Sequence, residues 1–185
     1  MIILASKSPR RIELMKNIVT EFEIIPANID ESIVTDKDIE KIPQKLAKAK
    51  AMHIAAKYKN DVVIGCDTGV FIDGKMLGKP KDEKEAFEML RLLSGRTHKV
   101  ITGCAVINGE QREEFSEETL VTFADMSDAE IISYIATGEC ADKAGAYGIQ
   151  GKGSLYIERI EGDFYTVMGL PVCRLNKCLN EILQA

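Results

Sequence analysis

Asp67 has the surroundings of a residue that does chemistry. It lies among small residues in Gly65-Cys66-Asp67-Thr68-Gly69, directly after the β-branched run Val62-Val63-Ile64. The run predicts a strand that is buried on both faces and ends near the acid, and the flanking glycines let a ligand approach the backbone. In α/β folds, ligands bind beyond the carboxyl ends of strands, where a carboxylate can accept a proton or hold a cation. The alternative is that Asp67 only caps a turn.

The polar turn Ser6-Lys7-Ser8-Pro9-Arg10-Arg11 is a second candidate site, and it follows the short apolar strand Ile2–Ala5. Ser8 is a good N-cap, and Pro9 suits the first position of a helix. The free N–H groups of such a helix start attract anions. Arginines at this end oppose the helix dipole, which favours a bound anion that offsets the repulsion. The turn therefore predicts a phosphate site, and a solvated basic first turn is the alternative.

For several other polar residues the sequence is compatible with more than one role. Asp30 and Glu31 lie in a predicted loop, either as surface charge or as carboxylates that face a metal or the cluster of cations. Lys79 lies between a glycine and a proline, an unusual position for a lysine that only confers solubility. The glycine-rich segment Asp142–Gly151 holds an acid, a base and an amide among small residues, so it is a plausible wall for a ligand.

The elements that must position these residues alternate between strands and helices, with hairpins added, one of them through a predicted type I′ turn at Asp73-Gly74. This alternation predicts an α/β fold with a mixed sheet. Helices are predicted to open at Pro9, near Pro43, after the capping boxes at Asp82 and Ser127, and at Pro171. The acidic run Glu113–Glu118 is predicted to be the solvated rim of a hairpin. Strands are predicted at Ile2–Ala5, Phe22–Pro26, Val62–Ile64, Val70–Ile72, Lys75–Leu77, Val100–Ile107, Leu120–Phe123, Leu155–Ile157 and Tyr165–Met168.

Composition limits the class of protein. A net charge of −5 argues against a general binder of nucleic-acid polymers. No run approaches the roughly 20 apolar residues of a membrane span, and no secretory signal is recognised, so we expect a cytoplasmic protein without a membrane partner. The five cysteines, with two histidines and no C-x-x-C, are expected to be buried small residues rather than zinc ligands. A Cys–His nucleophile pair using Cys66 stays open.

Taken together, several motifs resemble the Maf family of nucleoside-triphosphate pyrophosphatases. The motifs are Leu4-Ala5-Ser6 with Ser8-Pro9-Arg10-Arg11, Gly65-Cys66-Asp67-Thr68, Gly78-Lys79-Pro80, Leu93-Ser94-Gly95-Arg96-Thr97-His98 and Asp142–Gly151. The resemblance covers the whole chain and implies one domain over residues 1–185. It also implies a fold like that of inosine-triphosphate pyrophosphatases, with an elongated, twisted mixed sheet, flanking helices and two lobes around a central cleft. Cys66 departs from the family, in which alanine is usual.

The resemblance also implies roles for individual residues. Asp67 would be the catalytic acid that acts on the attacking water. Mg²⁺ or Mn²⁺ would bridge the phosphates with help from Asp67 or Glu31. Cleavage between the α and β phosphates would release a nucleoside monophosphate and pyrophosphate. The residues implied to bind the substrate are Ser6, Arg10, Arg11, Glu31, Lys50 and Lys79.

The branch of the family is implied by three positions, Arg10, Thr68 and Gln150. Asp-Thr at positions 67 and 68, with Ala-Tyr-Gly-Ile-Gln ending at Gln150, resembles the branch that acts on dTTP and UTP, not the sister branch that acts on 7-methyl-GTP. The rival interpretations are a nucleotide-binding regulator of cell division without significant turnover and a hydrolase dependent on Cys66. The sequence leaves the oligomeric state open, with a homodimer as one candidate.

Overall fold

A computed structural model describes residues 1–184 of the chain. Its helices are α1 (Pro9–Met15), α2 (Ile42–Ala55), α3 (Glu83–Leu93), α4 (Asp128–Ile135), α5 (Phe164–Met168) and α6 (Val172–Gln184). Its strands are β1 (Ile2–Leu4), β2 (Glu23–Ile24), β3 (Val62–Ile72), β4 (Lys75–Leu77), β5 (Thr97–Asn108), β6 (Gln111–Phe123) and β7 (Ile157–Glu161).

The strands form one seven-stranded sheet in the order β2-β1-β3-β5-β6-β7, with β4 paired to β3. The pairs β1–β2 and β1–β3 are parallel, whereas β3–β4 and β6–β7 are antiparallel. Helices lie between the strands of the parallel pairs, and short turns join β3 to β4 and β5 to β6, whereas β6 and β7 are antiparallel although α4 lies between them. The predicted α/β fold with a mixed sheet is therefore confirmed.

The chain divides into two compact units. Unit 1 contains Met1–Thr68, Thr102–Glu117 and the residues from Gly169 onward, and unit 2 contains Gly69–Ile101 and Glu118–Met168. Each unit has its own apolar core. The core of unit 1 is formed where α2 packs on β1, β3 and β5, by Ile3, Ala5, Ala47, Ala51, Ile54, Val63, Ala105 and Ile107. The core of unit 2 is larger and gathers side chains of α3, α4 and the adjoining strands around Leu90, Phe123 and Tyr134.

The central strand is longer than predicted. We expected a strand that ends near Asp67 and a separate strand at Val70–Ile72, but β3 runs without a break from Val62 to Ile72. The glycines do not end it. A Cβ atom on Gly65 would lie 2.1 Å from the Ala47 carbonyl oxygen, so this glycine allows α2 to approach the strand. Asp67 is therefore within a strand, and it does not cap a turn.

Four other local predictions are wrong. Leu155 and Tyr156 end a 3₁₀ helix (Gly151–Tyr156), so of the strand predicted at Leu155–Ile157 only Ile157 lies in β7. Tyr165–Met168 belongs to helix α5 instead of a strand, because the Asp163 carboxylate accepts hydrogen bonds from the Thr166 backbone N–H at 2.8 Å and its hydroxyl at 2.9 Å. Residues 113–118 lie within β6 and are not a hairpin rim, since alternation buries Phe115 under the guanidinium of Arg174. Cys173 is exposed, although the other cysteines are buried as expected.

Turn and cap chemistry was predicted more accurately. Asp73 and Gly74 both have positive φ, as a type I′ hairpin turn requires. Ser127 and Glu130 form the complete capping box of α4. At α3 the box is only half formed, because the Glu85 carboxylate accepts from the Lys81 N–H instead of the Asp82 N–H. Among residues 1–184, no helix has the length and apolar character that crossing a membrane requires.

Candidate active site

Asp67, Lys50 and Glu31 form a charged cluster in unit 1. The Lys50 Nζ lies 2.6 Å from Asp67 Oδ1 and 2.8 Å from Glu31 Oε1. Asp67 and Lys50 each expose only 12% of the side chain, whereas Glu31 exposes 56%. Gly65 lies two residues before Asp67, on the same face of β3. Because it has no side chain, α2 packs closely on the strand there, and Lys50 of α2 reaches Asp67.

Burial dominates the electrostatics of this acid. It raises the pKa of the Asp67 carboxyl, and the positive charges of Lys50 and Arg11 reduce this rise without reversing it. A carboxylate with a raised pKa accepts a proton more readily than a surface aspartate does. Asp67 thus has the burial and the charged partners expected of a general base.

Thr68 and Arg11 belong to a second hydrogen-bonded cluster of unit 1. Arg11 donates through Nη2 to Thr68 Oγ1 at 2.9 Å, through Nε to the Gly169 carbonyl at 2.8 Å, and through Nη1 to Ser6 Oγ at 3.4 Å. The hydroxyls of Thr68 and Thr102 are 2.9 Å apart. The Arg11 guanidinium is therefore held by three protein acceptors, and it in turn fixes Thr68.

The predicted anion turn has the expected local structure. Ser8 is the N-cap of α1, its side chain accepts from the Arg11 N–H at 3.5 Å, and Pro9 opens the helix. Ser6 Oγ accepts from the Ser8 N–H at 3.2 Å, so this hydroxyl is directed back toward the turn. Ser6 is buried, and Arg10 is half-buried and has interactions of its own.

The two clusters lie on opposite faces of β3. Successive side chains of a strand alternate, so Asp67 points toward α2 while Thr68 points toward α1. Strand β1 pairs with β3 only up to Leu4 and Ile64, and the Ala5 N–H donates to the Ile64 carbonyl. Asp67 and Thr68 thus lie beyond the carboxyl end of β1, where the turn Ser6–Arg11 begins. This is the edge at which α/β sheets bind ligands.

Cys66 shares the face of Thr68. Its Sγ is fully buried and lies 3.6 Å from Cys104 Sγ. The hydrogen bond to Cys104 lowers the pKa of Cys66, whereas burial raises the pKa of Cys104. Asp30, by contrast, is an exposed cap that accepts from the Ser32 N–H and hydroxyl, so of the two neighbouring acids only Glu31 faces the lysine.

Lys79 and Gln150 lie in unit 2, and both side chains are exposed. The turn that carries Lys79 is joined to the glycine-rich segment by a hydrogen bond from the Gly145 N–H to the Gly78 carbonyl at 3.0 Å. The segment around Gln150 is braced on both sides. Tyr134 accepts from the Gly148 N–H, and the Glu139 carboxylate accepts from the N–H groups of residues 152 and 153.

The Asp67–Glu31 pair has the donor chemistry that a hard divalent cation requires. Both carboxylates are oxygen ligands and converge on one positive charge, the Lys50 ammonium. No group of three or more His, Cys, Asp or Glu side chains able to hold a metal is found among the described residues 1–184. A cation at this pair would therefore take its remaining ligands from phosphate oxygens and water, which is the usual arrangement for Mg²⁺.

Comparison with known proteins gives the family. Residues 1–182 match the family described as Maf-like protein. The chain belongs to the Maf family. A Maf relative from Carboxydothermus hydrogenoformans is 50% identical over 97% of each chain, and one from Aquifex aeolicus is 46% identical over 98% of this chain and 95% of its own. A third, from Pyrococcus furiosus, is 48% identical over 96% and 93%. All three are named dTTP/UTP pyrophosphatase.

A solved structure supports the fold of this Maf chain. A HAM1 protein from Coxiella burnetii superposes with a TM-score of 0.54 at 18% identity and covers 97% of this chain and 98% of its own. The match over residues 1–182 confirms the inferred membership of the Maf family. The HAM1 structure supports only the mixed α/β fold.

Two site residues escaped the sequence reasoning on this Maf chain. Thr102 was placed in a predicted strand but not linked to Thr68, because cross-strand contacts depend on a register that single-strand patterns do not show. Gly169 was not singled out, although its φ of 107° and its carbonyl on Arg11 make it part of the second cluster. The sequence feature that could have identified Gly169 is its position directly before Leu170-Pro171, where the C-terminal helix was predicted to start.

Proposed function

We propose that this Maf-family chain hydrolyses dTTP and UTP to the nucleoside monophosphate and pyrophosphate. The observation that carries the proposal is the buried Asp67 carboxylate, held at 2.6 Å by Lys50 beside a turn rich in anion-binding groups. The names of relatives at 46–50% identity favour the same substrates, and they favour a hydrolase over a regulator without turnover.

Asp67 is the residue that we assign to the attacking water. Lys50 contacts Oδ1, so Oδ2 is the oxygen assigned to receive the proton. The water oxygen bonds to the α phosphorus in line with the α–β bridging oxygen. The bond from the α phosphorus to this bridging oxygen breaks, and pyrophosphate leaves with the electron pair. The raised pKa of Asp67 makes it a stronger base for this step than an exposed aspartate would be.

The phosphates are assigned to the positive charges and hydroxyls around Asp67. Ser6, Arg10, Arg11 and Lys50 line the turn and the helix face next to β3, and charge-assisted hydrogen bonds are the strong ones for phosphate. Lys79 is a further assigned phosphate contact that rests on the Maf resemblance. Because Arg11 already has three protein acceptors, part of its role is to hold Thr68 and Gly169 in place.

A divalent cation is included in the proposal, as Mg²⁺ or Mn²⁺. Asp67 and Glu31 are the residues that would hold it, together with phosphate oxygens of the substrate. When bound, such a cation neutralises the phosphate charge that builds up during cleavage. Glu31 is the more exposed of the two carboxylates, so it is the one free to move from Lys50 to a cation.

The substrate is assigned as a small nucleotide and not a nucleic-acid polymer, in keeping with the net charge of −5. The proposed place of action is the cytoplasm, where the nucleotide pools lie. We assign the choice of base to Arg10, Thr68 and Gln150, because those positions carry the resemblance to the dTTP- and UTP-hydrolysing branch. A homodimer stays a prediction.

The proposal is tested by pyrophosphate release from dTTP, UTP, dATP and GTP, with Mg²⁺ or Mn²⁺ and with a chelator. We expect dTTP and UTP to be cleaved well above the purine nucleotides, with one pyrophosphate formed per monophosphate and no reaction in the chelator. Equal rates on purine and pyrimidine nucleotides would refute the specificity. Release of orthophosphate, or tight binding of dTTP without cleavage, would refute the reaction.

A further inference from the structure

Two buried thiols lie against each other between the central strands of unit 1. Cys66 on β3 and Cys104 on β5 are both completely buried, and their Sγ atoms are 3.6 Å apart. Both are free thiols, and the proposed reaction uses neither of them. In a disulfide the two sulfur atoms would lie about 2.0 Å apart. The sulfur atoms are therefore already neighbours, and a short approach separates them from a covalent bond.

The positions of the two cysteines suit a disulfide between strands. Strands β3 and β5 are neighbours in the sheet, and the hydroxyls of Thr68 and Thr102 form the next pair on the same face. The pairing thus advances along β3 while it goes back along β5, as it does for residues directly opposite each other in antiparallel strands. The Cα atoms of such residues are about 4.5 or 5.5 Å apart. Both separations fall within the roughly 4.4–6.8 Å that disulfides span, so the bond can form without a large movement of the backbone.

Burial limits the reagents that can reach this pair of thiols. The exposed Cys173 meets reagents of any size, whereas a completely buried pair excludes bulky ones. Hydrogen peroxide is small and uncharged, so it can enter during a local opening of the two strands. The opening needed is short, because Thr68, the next residue of β3 on this face, is half-exposed.

We propose that Cys66 and Cys104 are a modification site, at which a hydroperoxide oxidises the two thiols to a disulfide that joins β3 to β5 covalently. One thiol attacks an oxygen of the peroxide, the O–O bond breaks, and a sulfenic acid and the first water are formed. The other thiol attacks the sulfur of the sulfenic acid, and the S–O bond breaks. The hydroxyl group leaves with the proton of the attacking thiol as the second water. The two sulfur atoms thereby lose two electrons, and the peroxide takes them up.

The contact between the thiols favours the disulfide over further oxidation. A sulfenic acid on either sulfur already has the other sulfur 3.6 Å away, whereas a second peroxide must first enter the buried site. Exchange with an added thiol returns a disulfide to the reduced form, but it does not restore a sulfinic acid. The oxidation at this site should therefore be reversible.

The disulfide would join the strand that carries Asp67 to its neighbour in the sheet. Cys66 and Cys104 are 38 positions apart in the chain, so the bond closes a long loop. Closing such a loop restricts the unfolded chain and raises the free energy of unfolding. Asp67 points to the other face of β3, toward Lys50. The inference goes beyond the proposed function and does not depend on it, because no step of the oxidation involves a nucleotide.

The experiment treats the Cys173→Ser protein with hydrogen peroxide, identifies disulfides by mass spectrometry of unreduced peptides, and measures the melting temperature. Cys173→Ser removes the exposed thiol, which could otherwise link two molecules. We expect Cys66 and Cys104 to be joined, with two hydrogen atoms lost per chain and a melting temperature higher by about 5–15 °C. Dithiothreitol should reverse both changes.

Two further variants are made in the same Cys173→Ser background. Cys66→Ala removes one member of the pair, so it should show neither the disulfide nor the rise in melting temperature. It should fold, since alanine is the usual residue at this position in the Maf family. The matched control is Cys140→Ala, which removes a buried cysteine of unit 2 and keeps the pair. Its disulfide and its rise in melting temperature should equal those of the parent.

Three results would overturn the inference. One is a disulfide that joins other cysteines, such as Cys104 to Cys178. Another is a pair of thiols that stays reduced, or ends as sulfinic acid, under peroxide that fully oxidises Cys173 in the wild type. The third is a Cys66–Cys104 disulfide that leaves the melting temperature unchanged. An untreated wild-type protein that releases no pyrophosphate from dTTP would refute the proposed function instead, so the two failures are distinguishable.

Discussion

At the scale of single residues, burial and charge act in opposite directions on Asp67. Burial raises its pKa, and the charge of Lys50 is the largest of the effects that lower it. Removing the ammonium should therefore raise the pKa further. In Lys50→Met, the acidic limb of the kcat/KM profile for dTTP should move to higher pH, because the free enzyme's base must be ionised.

The matched control for this prediction is Lys48→Met. Lys48 lies on the same helix, but its ammonium is 2.7 Å from Glu114 and not near Asp67. Its acidic limb should coincide with that of the wild type. If the limb of Lys50→Met also stays in place, the base that controls the profile is not Asp67.

How far the site residues could be predicted differs from residue to residue. Asp67 was recognisable because an acid among glycines, after a β-branched run, has few structural uses. Lys50 was identified only through the Maf resemblance, since the region holds several similar lysines, Lys41, Lys45, Lys48, Lys50 and Lys57. What distinguishes Lys50 is the close approach of α2 at Gly65, and that approach depends on tertiary packing.

At the scale of elements, His98 joins β5 to the glycine-rich segment. Its Nε2 lies 2.7 Å from the Tyr147 hydroxyl, and its ring packs edge-on against Phe123 and Tyr147. Burial lowers the pKa of His98 to about 4. The unfolded chain binds a proton near pH 6.5, so this histidine stabilises the fold fully above that pH and loses its contribution as the pH falls toward 4.

The loss should be about 2 kcal/mol of unfolding free energy between about pH 7.5 and about pH 5. Urea unfolding at the two pH values measures it, and His98→Gln should show a smaller drop than the wild type by that amount. The control is His53→Gln, which changes the half-exposed histidine of α2. Equal drops in the wild type and His98→Gln would show that this ring does not control acid stability.

Gln150 belongs to the segment that these contacts brace. Its amide is exposed. The preceding residue, Ile149, is buried, and at the following residue, Gly151, a Cβ atom would lie 2.6 Å from the Glu139 carboxylate. If it reads the pyrimidine edge, Gln150→Ala should reduce the preference for UTP over GTP about ten-fold or more, with a smaller loss of overall rate. The ratio of kcat/KM values measures this, and Gln111→Ala, at the exposed start of β6, is the control.

An unchanged preference for UTP over GTP in Gln150→Ala would mean that the glutamine only braces its segment.

The boundaries of the helices and strands could be predicted from the sequence only in part. Caps and turns at Ser8, Asp73 and Ser127 were predictable, because they depend on neighbouring residues. The continuity of β3 and the helix at Phe164–Met168 were not, because packing of α2 and a side-chain cap outweigh local propensity.

At the scale of the whole molecule, the class of fold was predictable and the strand order was not. Alternating strands and helices with short hairpins give a mixed sheet from local patterns alone. The order β2-β1-β3-β5-β6-β7 depends on pairings between distant segments, which leave no mark on a single strand. Maf membership, inferred from motifs spread along the chain, is confirmed by the match over residues 1–182.

The central claim is that Asp67 acts on the water that cleaves dTTP and UTP, and Asp67→Asn tests it most directly. Pyrophosphate release from dTTP by Asp67→Asn is compared with release by the wild type and by Asp61→Asn, whose carboxylate pairs with the N-terminal ammonium at 2.9 Å. We predict that Asp67→Asn melts cooperatively yet loses about 10²- to 10⁴-fold in turnover, while Asp61→Asn retains its rate. An Asp67→Asn protein that releases pyrophosphate at nearly the wild-type rate would contradict the account.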